Sequence, residues 1–412
     1  MARRVVITGM GVVTATGIGI EAFWRAAKEG RSGISRITAF DPSEFATQIA
    51  GEVKGFDAKQ LVGNKWAVQS GRPTHFAIAA AEEAIRNAGI DLQAEDRERI
   101  GLILSNTAGA AEVSDRAFYA LYEKGPTFVN TFLAIAWFYT ASVGQISIRL
   151  GLKGYGKAVL NDSSGGADAI GYAAKLIRND EADIVIAGGT EAPFVPILML
   201  HFMRGGMLST ANEFPEQAYR PFDVSRDGVV LGEGAGIVIL EEMERARRRR
   251  APIMAEVAGY GATFDAYDAL RFAPDGVQFA RAMRLALEKS GLKPEDIDYI
   301  NADAHATVDG DRIEAHAIKA VFGDYTRKLP VSAPKAGYGN LFGGAAPVDV
   351  VTTVLAMRDG IVPPTPNLIN PDPECDLDLP TRARPAKIRA ALINSRGQGG
   401  TNAALVVKQI EG

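Results

Sequence analysis

Asn161-Asp162-Ser163-Ser164-Gly165-Gly166-Ala167 passes directly from polar turn residues into the apolar pattern of a helix over 166–179, and Gly343-Gly344-Ala345 opens a second helix in the same way. Backbone amides at a helix N-terminus point at the side chain just before it. Position 163 therefore suits a nucleophile or an anion hole. Elements repeat around these two turns. A helix over 74–88, stopped by Gly89, precedes a strand at 100–104. A helix over 277–290, stopped by Gly291, precedes a strand at 297–301. Further strands are expected at 5–8, 183–187 (ending at Gly188-Gly189), 236–240, 390–394 and 403–407. A charged helix is expected over 241–250, and a glycine-rich turn over 394–402. The chain reads as α/β, built from two related halves, 1–251 and 252–412, that meet near Ala251-Pro252.

The 412 residues are 47% hydrophobic and 23% charged, with a formal net charge of −4, which argues against nucleic acid or an anionic membrane as partner. No apolar run approaches the roughly 18 residues of a spanning helix. The longest covers 132–139, and the basic start at 1–4 leads into a first strand rather than a leader. One cysteine, Cys375, and four histidines, His75, His201, His305 and His316, exclude a disulfide framework and a multi-cysteine zinc site. A reducing, cytoplasmic setting is expected.

Three features invite chemistry and do not sustain it. Gly9-Met10-Gly11 follows a strand as a dinucleotide fingerprint would, but Thr14 stands where the third glycine belongs, so a tight strand-to-loop turn is expected. Arg247 to Arg250 ends a helix that begins with Glu241, Glu242 and Glu244, as a solvated helix end would. Cys375 lies among Asp372, Glu374 and Asp376, and such carboxylates disfavour a thiolate.

Several motifs, in this order, resemble the β-ketoacyl-acyl-carrier-protein synthases of the thiolase superfamily. They are VVITGMGVVTATG at 5–17, Pro221-Phe222-Asp223 with Arg226-Asp227-Gly228, Gly232-Glu233-Gly234-Ala235-Gly236, Lys335 in SAPKAGYGN, NPDPECDLD at 370–378 and NSRGQGGTNAALVV at 394–407. The resemblance spans nearly the whole chain. It implies a thiolase-like fold: a five-layered αβαβα sandwich from two duplicated halves, assembled as a dimer. It also implies a cysteine nucleophile before the first glycine-opened helix, with two histidines that assist malonyl decarboxylation and stabilise the enolate and oxyanion. In this chain the cysteine position falls on Ser163 and the histidine positions on Asp303 and Asn340. Lys335 and Glu314 are retained, and the gating phenylalanine position falls on Gln398. The reactive groups are thus replaced: serine needs a base, and Asp303 brings negative charge to where an enolate would develop. His305 sits two residues from the required place.

This pattern of loss resembles the chain-length factor, or ketosynthase β subunit, of bacterial type II polyketide synthases. The closer match lies in Ile135-Ala136-Trp137-Phe138-Tyr139 continuing to 144–149, in SSGGADAIG at 163–171 and in Tyr260-Gly261-Ala262-Thr263-Phe264-Asp265. Ser163 departs from the glutamine common in the aromatic-polyketide branch. The resemblance implies a silent subunit paired with an active ketosynthase α subunit. Substrate would arrive on the phosphopantetheine arm of an acyl carrier protein, with no cofactor bound directly. Ala111, Ser114 and Phe118, spaced as one helical stripe on 110–123, and Ile135 would line the tunnel for the growing polyketide chain. Trp137, Phe138 and Tyr139 would form an interface core, or a core within the subunit. An active acyltransferase or malonyl decarboxylase using Ser163, or a scaffold with no polyketide role, are the other readings.

Overall fold

The computed structural model describes residues 3–410, so Met1 and Ala2 of the basic start lie outside the described residues. Ten strands form the principal path of one sheet: β1 Val5–Thr14, β2 Ile100–Ser105, β3 Gly156–Val159, β4 Ile184–Glu191, β5 Gly234–Glu242, β6 Ala255–Phe264, β7 Tyr299–Asn301, β8 Val331–Ser332, β9 Ala390–Gly397 and β10 Thr401–Lys408. Their spatial order is β3-β2-β4-β5-β1-β6-β10-β9-β7-β8, and the two-residue strand Gly17–Ile18 folds back on β1. Within the first half β2 pairs in parallel with β3 and β4, while β4–β5 and β5–β1 are antiparallel. In the second half β7 pairs in parallel with β8 and β9, while β9–β10 and β10–β6 are antiparallel. The two halves therefore share order and direction strand for strand, and within the sheet they pair through Val6 and Ile7 against Glu256 and Ala255.

The principal helices are α1 Arg72–Ala88, α2 Ala111–Lys124, α3 Ala141–Leu150, α4 Gly165–Arg178, α5 Val277–Ser290, α6 Val308–Phe322 and α7 Ala345–Asp359. Strand alternation assigns them to layers, because successive side chains face opposite sides of a sheet. Ile184, Ile186, Ile237 and Ile239 pack outward with α1 residues such as Phe76 and Ile85. Val185, Ala187, Val238 and Leu240 pack inward with α4 and α7. In the second half Ala391, Ile393 and Leu405 join that same inner core, while Leu392, Ala404 and Val406 face α5 and α6. Five layers result: outer helices, first sheet half, the α4–α7 pair, second sheet half, outer helices. The middle layer is largely apolar, and α7 is buried from Ala345 to Met357.

Glycines bring the outer helices onto the sheet. A Cβ on Gly9 would lie 2.1 Å from the Ala84 carbonyl oxygen, and one on Gly11 2.0 Å from that of Ala80. The second half repeats the device: Gly259 and Gly261 meet the carbonyl oxygens of Ala286 and Ala282 at 1.9 and 2.1 Å. This corrects the expected turn at Gly9. The strand runs on to Thr14, and its glycines mark a close helix approach. The strand expected at 183–187 likewise runs through Gly188 and Gly189 to Glu191. The expected glycine-rich turn shrinks to Gln398–Gly400, because Asn394 to Gly397 stay paired with β10. The charged helix covers only Met243–Arg248: Glu241 and Glu242 finish β5, and the Glu242 carboxylate caps the helix. Of the arginine run, Arg249 is held by Glu241 at 2.6 Å, while Arg247, Arg248 and Arg250 are exposed.

Gly11→Ala and Gly261→Ala should each lower stability by roughly 2–4 kcal/mol, because backbone, not a flexible side chain, must move. Gly144→Ala, on α3 with nothing within 4 Å, should gain up to about 1 kcal/mol. Urea unfolding midpoints check both. Losses below about 0.5 kcal/mol at Gly11 and Gly261 would contradict the close-approach account.

Candidate functional site

β3 ends at Val159, and a sharp elbow at Asn161, Asp162 and Ser163 leads into α4, with Asp162 at φ 48°. Glycines fix this elbow from beneath. The Gly343 carbonyl oxygen would lie 2.4 Å from a Cβ on Gly166 and 1.9 Å from one on Gly189. The start of α4, the middle of β4 and the entry to α7 therefore meet at one backbone oxygen. Polar contacts hold the elbow from above. The Asp162 carboxylate accepts from the Gln398 amide at 2.7 Å, and the Ser163 carbonyl accepts from Ser395 Oγ at 2.8 Å. Asp168, one turn into α4, accepts from Asn161 Nδ2 and Tyr260 OH, both at 2.6 Å. The two matched motifs SSGGADAIG and Tyr260–Asp265 thus touch through this carboxylate.

Ser163 is buried and faces a cavity of only about 20 Å³, shared with His305, Asn340, Arg396 and Gln398. Its Oγ lies 3.5 Å from Asn340 Oδ1, which already accepts from the Phe342 amide at 2.8 Å. An amide oxygen takes no proton near neutral pH, so the Ser163 hydroxyl has no base there. His305 lies in the same cavity, with Nδ1 3.2 Å from Thr307 Oγ1. Burial pushes its imidazole down to about 4, so the ring is neutral at neutral pH.

Asp303 is tied up in full. Its carboxylate accepts from the Arg396 amide at 2.9 Å and from Arg396 Nε at 3.0 Å. The negative charge that Asp303 brings is thereby balanced by a buried arginine. Glu314 accepts from the backbone amides of Asp303 and Ala304 at 2.9 and 2.8 Å and from Asn394 Nδ2 at 3.0 Å, so it shapes the turn that carries Asp303. Lys335 Nζ pairs with the Asp349 carboxylate at 2.7 Å. Burial pulls the Lys335 ammonium down, but the Asp349 and Asp303 carboxylates outweigh this and raise it. Burial lifts Asp349 to about 6. Cys375 is buried with its thiol pushed up to about 12, first by burial and then by Asp311, so it is not a thiolate. Gln398 stands at the cavity rim with Nε2 3.4 Å from the Met207 sulfur. Among the described residues no group of three or more His, Cys, Asp or Glu is placed to hold a metal. No helix among them is long and apolar enough to cross a membrane.

The expected tunnel residues lie elsewhere. Ala111 opens α2 and is buried, Ser114 returns its Oγ to the Ala111 carbonyl at 2.9 Å, and Phe118 is 59% exposed. Ile135 is also exposed. The grooves beside α2, of about 560 and 650 Å³, are lined by Glu112 and Arg116 and by none of these four residues. Trp137, Phe138 and Tyr139 are 37, 49 and 44% exposed, which corrects the reading of them as core within the subunit. Together with Tyr119 and Tyr122 of α2 they leave a wide apolar face open in the single chain.

Arg396, Asp349 and the ring of Phe272 are functional-site residues that the sequence reading missed. A signal existed for Arg396: an arginine two residues after an apolar strand run, in a chain that also places Asp303 just past a buried strand, implies a pair.

The β-ketoacyl synthase N-terminal domain family matches residues 2–246, and the β-ketoacyl synthase C-terminal domain family matches 254–369. The chain is 40% identical over 409 residues to a 3-oxoacyl-[acyl-carrier-protein] synthase 2 of Coxiella burnetii, covering 99% of each. It is 39% identical to one of Staphylococcus aureus, again over 99% of each. Among solved structures it superposes on the ishigamide ketosynthase/chain length factor with a TM-score of 0.93 at 33% identity, covering 100% of both chains. It also superposes on a type II polyketide ketosynthase solved with its acyl-carrier protein and a hexaketide, with a TM-score of 0.92 at 30% identity over 100% of both.

Because the unfolded imidazole sits near 6.5 and the folded one near 4, the unfolded state binds the extra proton first. His305 therefore supports folding fully above pH 6.5, and that support is lost as pH falls from 6.5 to about 4. Buried Asp311, raised to about 7, and Asp349 act in the opposite sense. The measurement is accordingly a difference. Wild type should lose about 3 kcal/mol relative to His305→Gln across that window. Parallel unfolding curves for the two proteins would refute it.

Proposed function

This chain belongs to the β-ketoacyl synthase family, and we propose that it is the silent, chain-length-determining subunit of a ketosynthase heterodimer. The observation that carries this is the elbow. Acyl transfer to an enzyme side chain needs a nucleophile beside a base, and Ser163 Oγ has an amide oxygen at 3.5 Å instead. Asp303 is engaged by Arg396, and neutral His305 is bonded to Thr307. The intact chemistry belongs to a partner of the ketosynthase α kind. That partner takes the acyl group from the phosphopantetheine arm of an acyl carrier protein onto its cysteine. It then condenses it with the enolate released by malonyl decarboxylation.

This chain supplies wall and floor. Phe118, Ile135, Trp137, Phe138 and Tyr139 are apolar and exposed in the single chain, as residues that close against a partner must be before assembly. Ala111 and Phe118 then set how far the product extends along α2. Support comes from the 33%-identical ketosynthase/chain length factor, matched end to end.

The second reading, an active Ser163 enzyme, draws on the 40%-identical relatives that are named synthases and on His305 lining the Ser163 cavity.

Co-expression with an intact ketosynthase α chain and its acyl carrier protein separates the two. Ser163→Ala should leave product yield within about twofold; its abolition would establish the second reading. Ala111→Phe should shorten the product by one or more two-carbon units, and Phe118→Ala should lengthen it. Products of unchanged length from both variants would remove α2 from chain-length control.

A further inference from the structure

We propose that Arg396 is a plug: with Asp303 it fills the chamber behind Ser163, so that this chain's own pocket cannot admit an acyl chain. Four groups stack in sequence. The Arg396 guanidinium carbon lies 4.7 Å from the Phe279 ring centre and 4.4 Å from that of Phe272. The His305 ring then meets Phe272 edge-on at 5.1 Å. A guanidinium this close to two aromatic rings is held by cation–π attraction as well as by packing. In its own plane it is fixed by Asp303 at 3.0 Å and by the Gly310 carbonyl at 3.0 Å. Arg396 is 2% exposed, the largest of the fully buried side chains.

The remaining space is about 20 Å³. That is room for about one water and far too little for an acyl chain. Arg396 lines this space and its Nη1 has no hydrogen-bond partner, so the residue retains a donor that a water could satisfy and hydrocarbon could not. Loss of the reactive side chains and loss of the chamber are then separate properties of the chain. Restoring a thiol at the elbow would not restore access to it.

The proposal deepens the silent-subunit reading but is tested without it. Ser163→Cys places a thiol at the elbow of the full-length chain. Iodoacetamide and its N-decyl derivative alkylate a thiol by forming a carbon–sulfur bond and releasing iodide. Mass spectrometry follows the reaction, with buried Cys375 as the internal silent thiol. With Arg396 present, the decyl reagent should react at least about 100-fold more slowly than with free cysteine. Adding Asp303→Asn with Arg396→Leu, which removes both charges together, should speed it at least about tenfold. Arg396→Lys, which keeps the charge opposite Asp303 and removes the stacked plane, should act in the same direction if the double replacement does not fold. Free-cysteine rates with Arg396 in place, or no acceleration on its replacement, overturn the plug. Failure here with product intact in Ser163→Ala complexes overturns the plug alone. Success here with product lost overturns the silent-subunit reading alone.

Discussion

The backbone oxygen of Gly343 is the point on which the architecture turns. It rests against Gly166 and Gly189 so closely that neither could carry a side chain. Helix α4 and strand β4 belong to one half and helix α7 to the other, and this contact sets their separation. The elbow at Ser163 inherits its position from it. So does Glu191 at the end of β4, whose buried carboxylate accepts from the Thr107 and Ala108 amides and is raised to about 8 by burial. The entry to α7 is rich in small and β-branched residues, among them Ala345, Ala346, Val348, Val350 and Val351, which suits such tight packing.

How far this was legible in the sequence depends on where each constraint originates. Local signals were readable. Gly89 and Gly291 end α1 and α5 in the left-handed conformation that the stop signals imply, and the paired order of elements reveals two similar halves. Gly9 and Gly11 read as a turn and Gly188-Gly189 as a strand end, because the reason for each glycine lies in a carbonyl far along the chain. Period-2 and period-3.6 patterns report which residues face a core, not how near the next backbone comes. The stripe Ala111, Ser114 and Phe118 was legible as a helix, but which of its faces stays open is a property of the assembled layers.

The site divides in the same way. The replacements at 163, 303 and 340 are visible in the motifs, and their chemical poverty follows from residue type alone. Their environment does not. Asp303 as an isolated letter reads as an unbalanced charge, whereas in the fold it is half of a pair with Arg396 from a strand 93 residues away. Lys335 and Glu314 are retained as letters, yet both serve the framework: Lys335 pairs with Asp349, and Glu314 organises the turn below Asp303. Identity at a motif position and participation in chemistry are therefore distinct facts in this chain.

The Arg396–Asp303 pair also has a historical consequence. Each residue alone would be a buried, uncompensated charge, and stranding one partner of such a pair costs about 3–5 kcal/mol, a large share of a domain's stability. Exchanging either residue alone is therefore penalised, whereas exchanging both together for neutral residues is not. The pair works as a ratchet. Once both charges are in place, selection for folding alone preserves them.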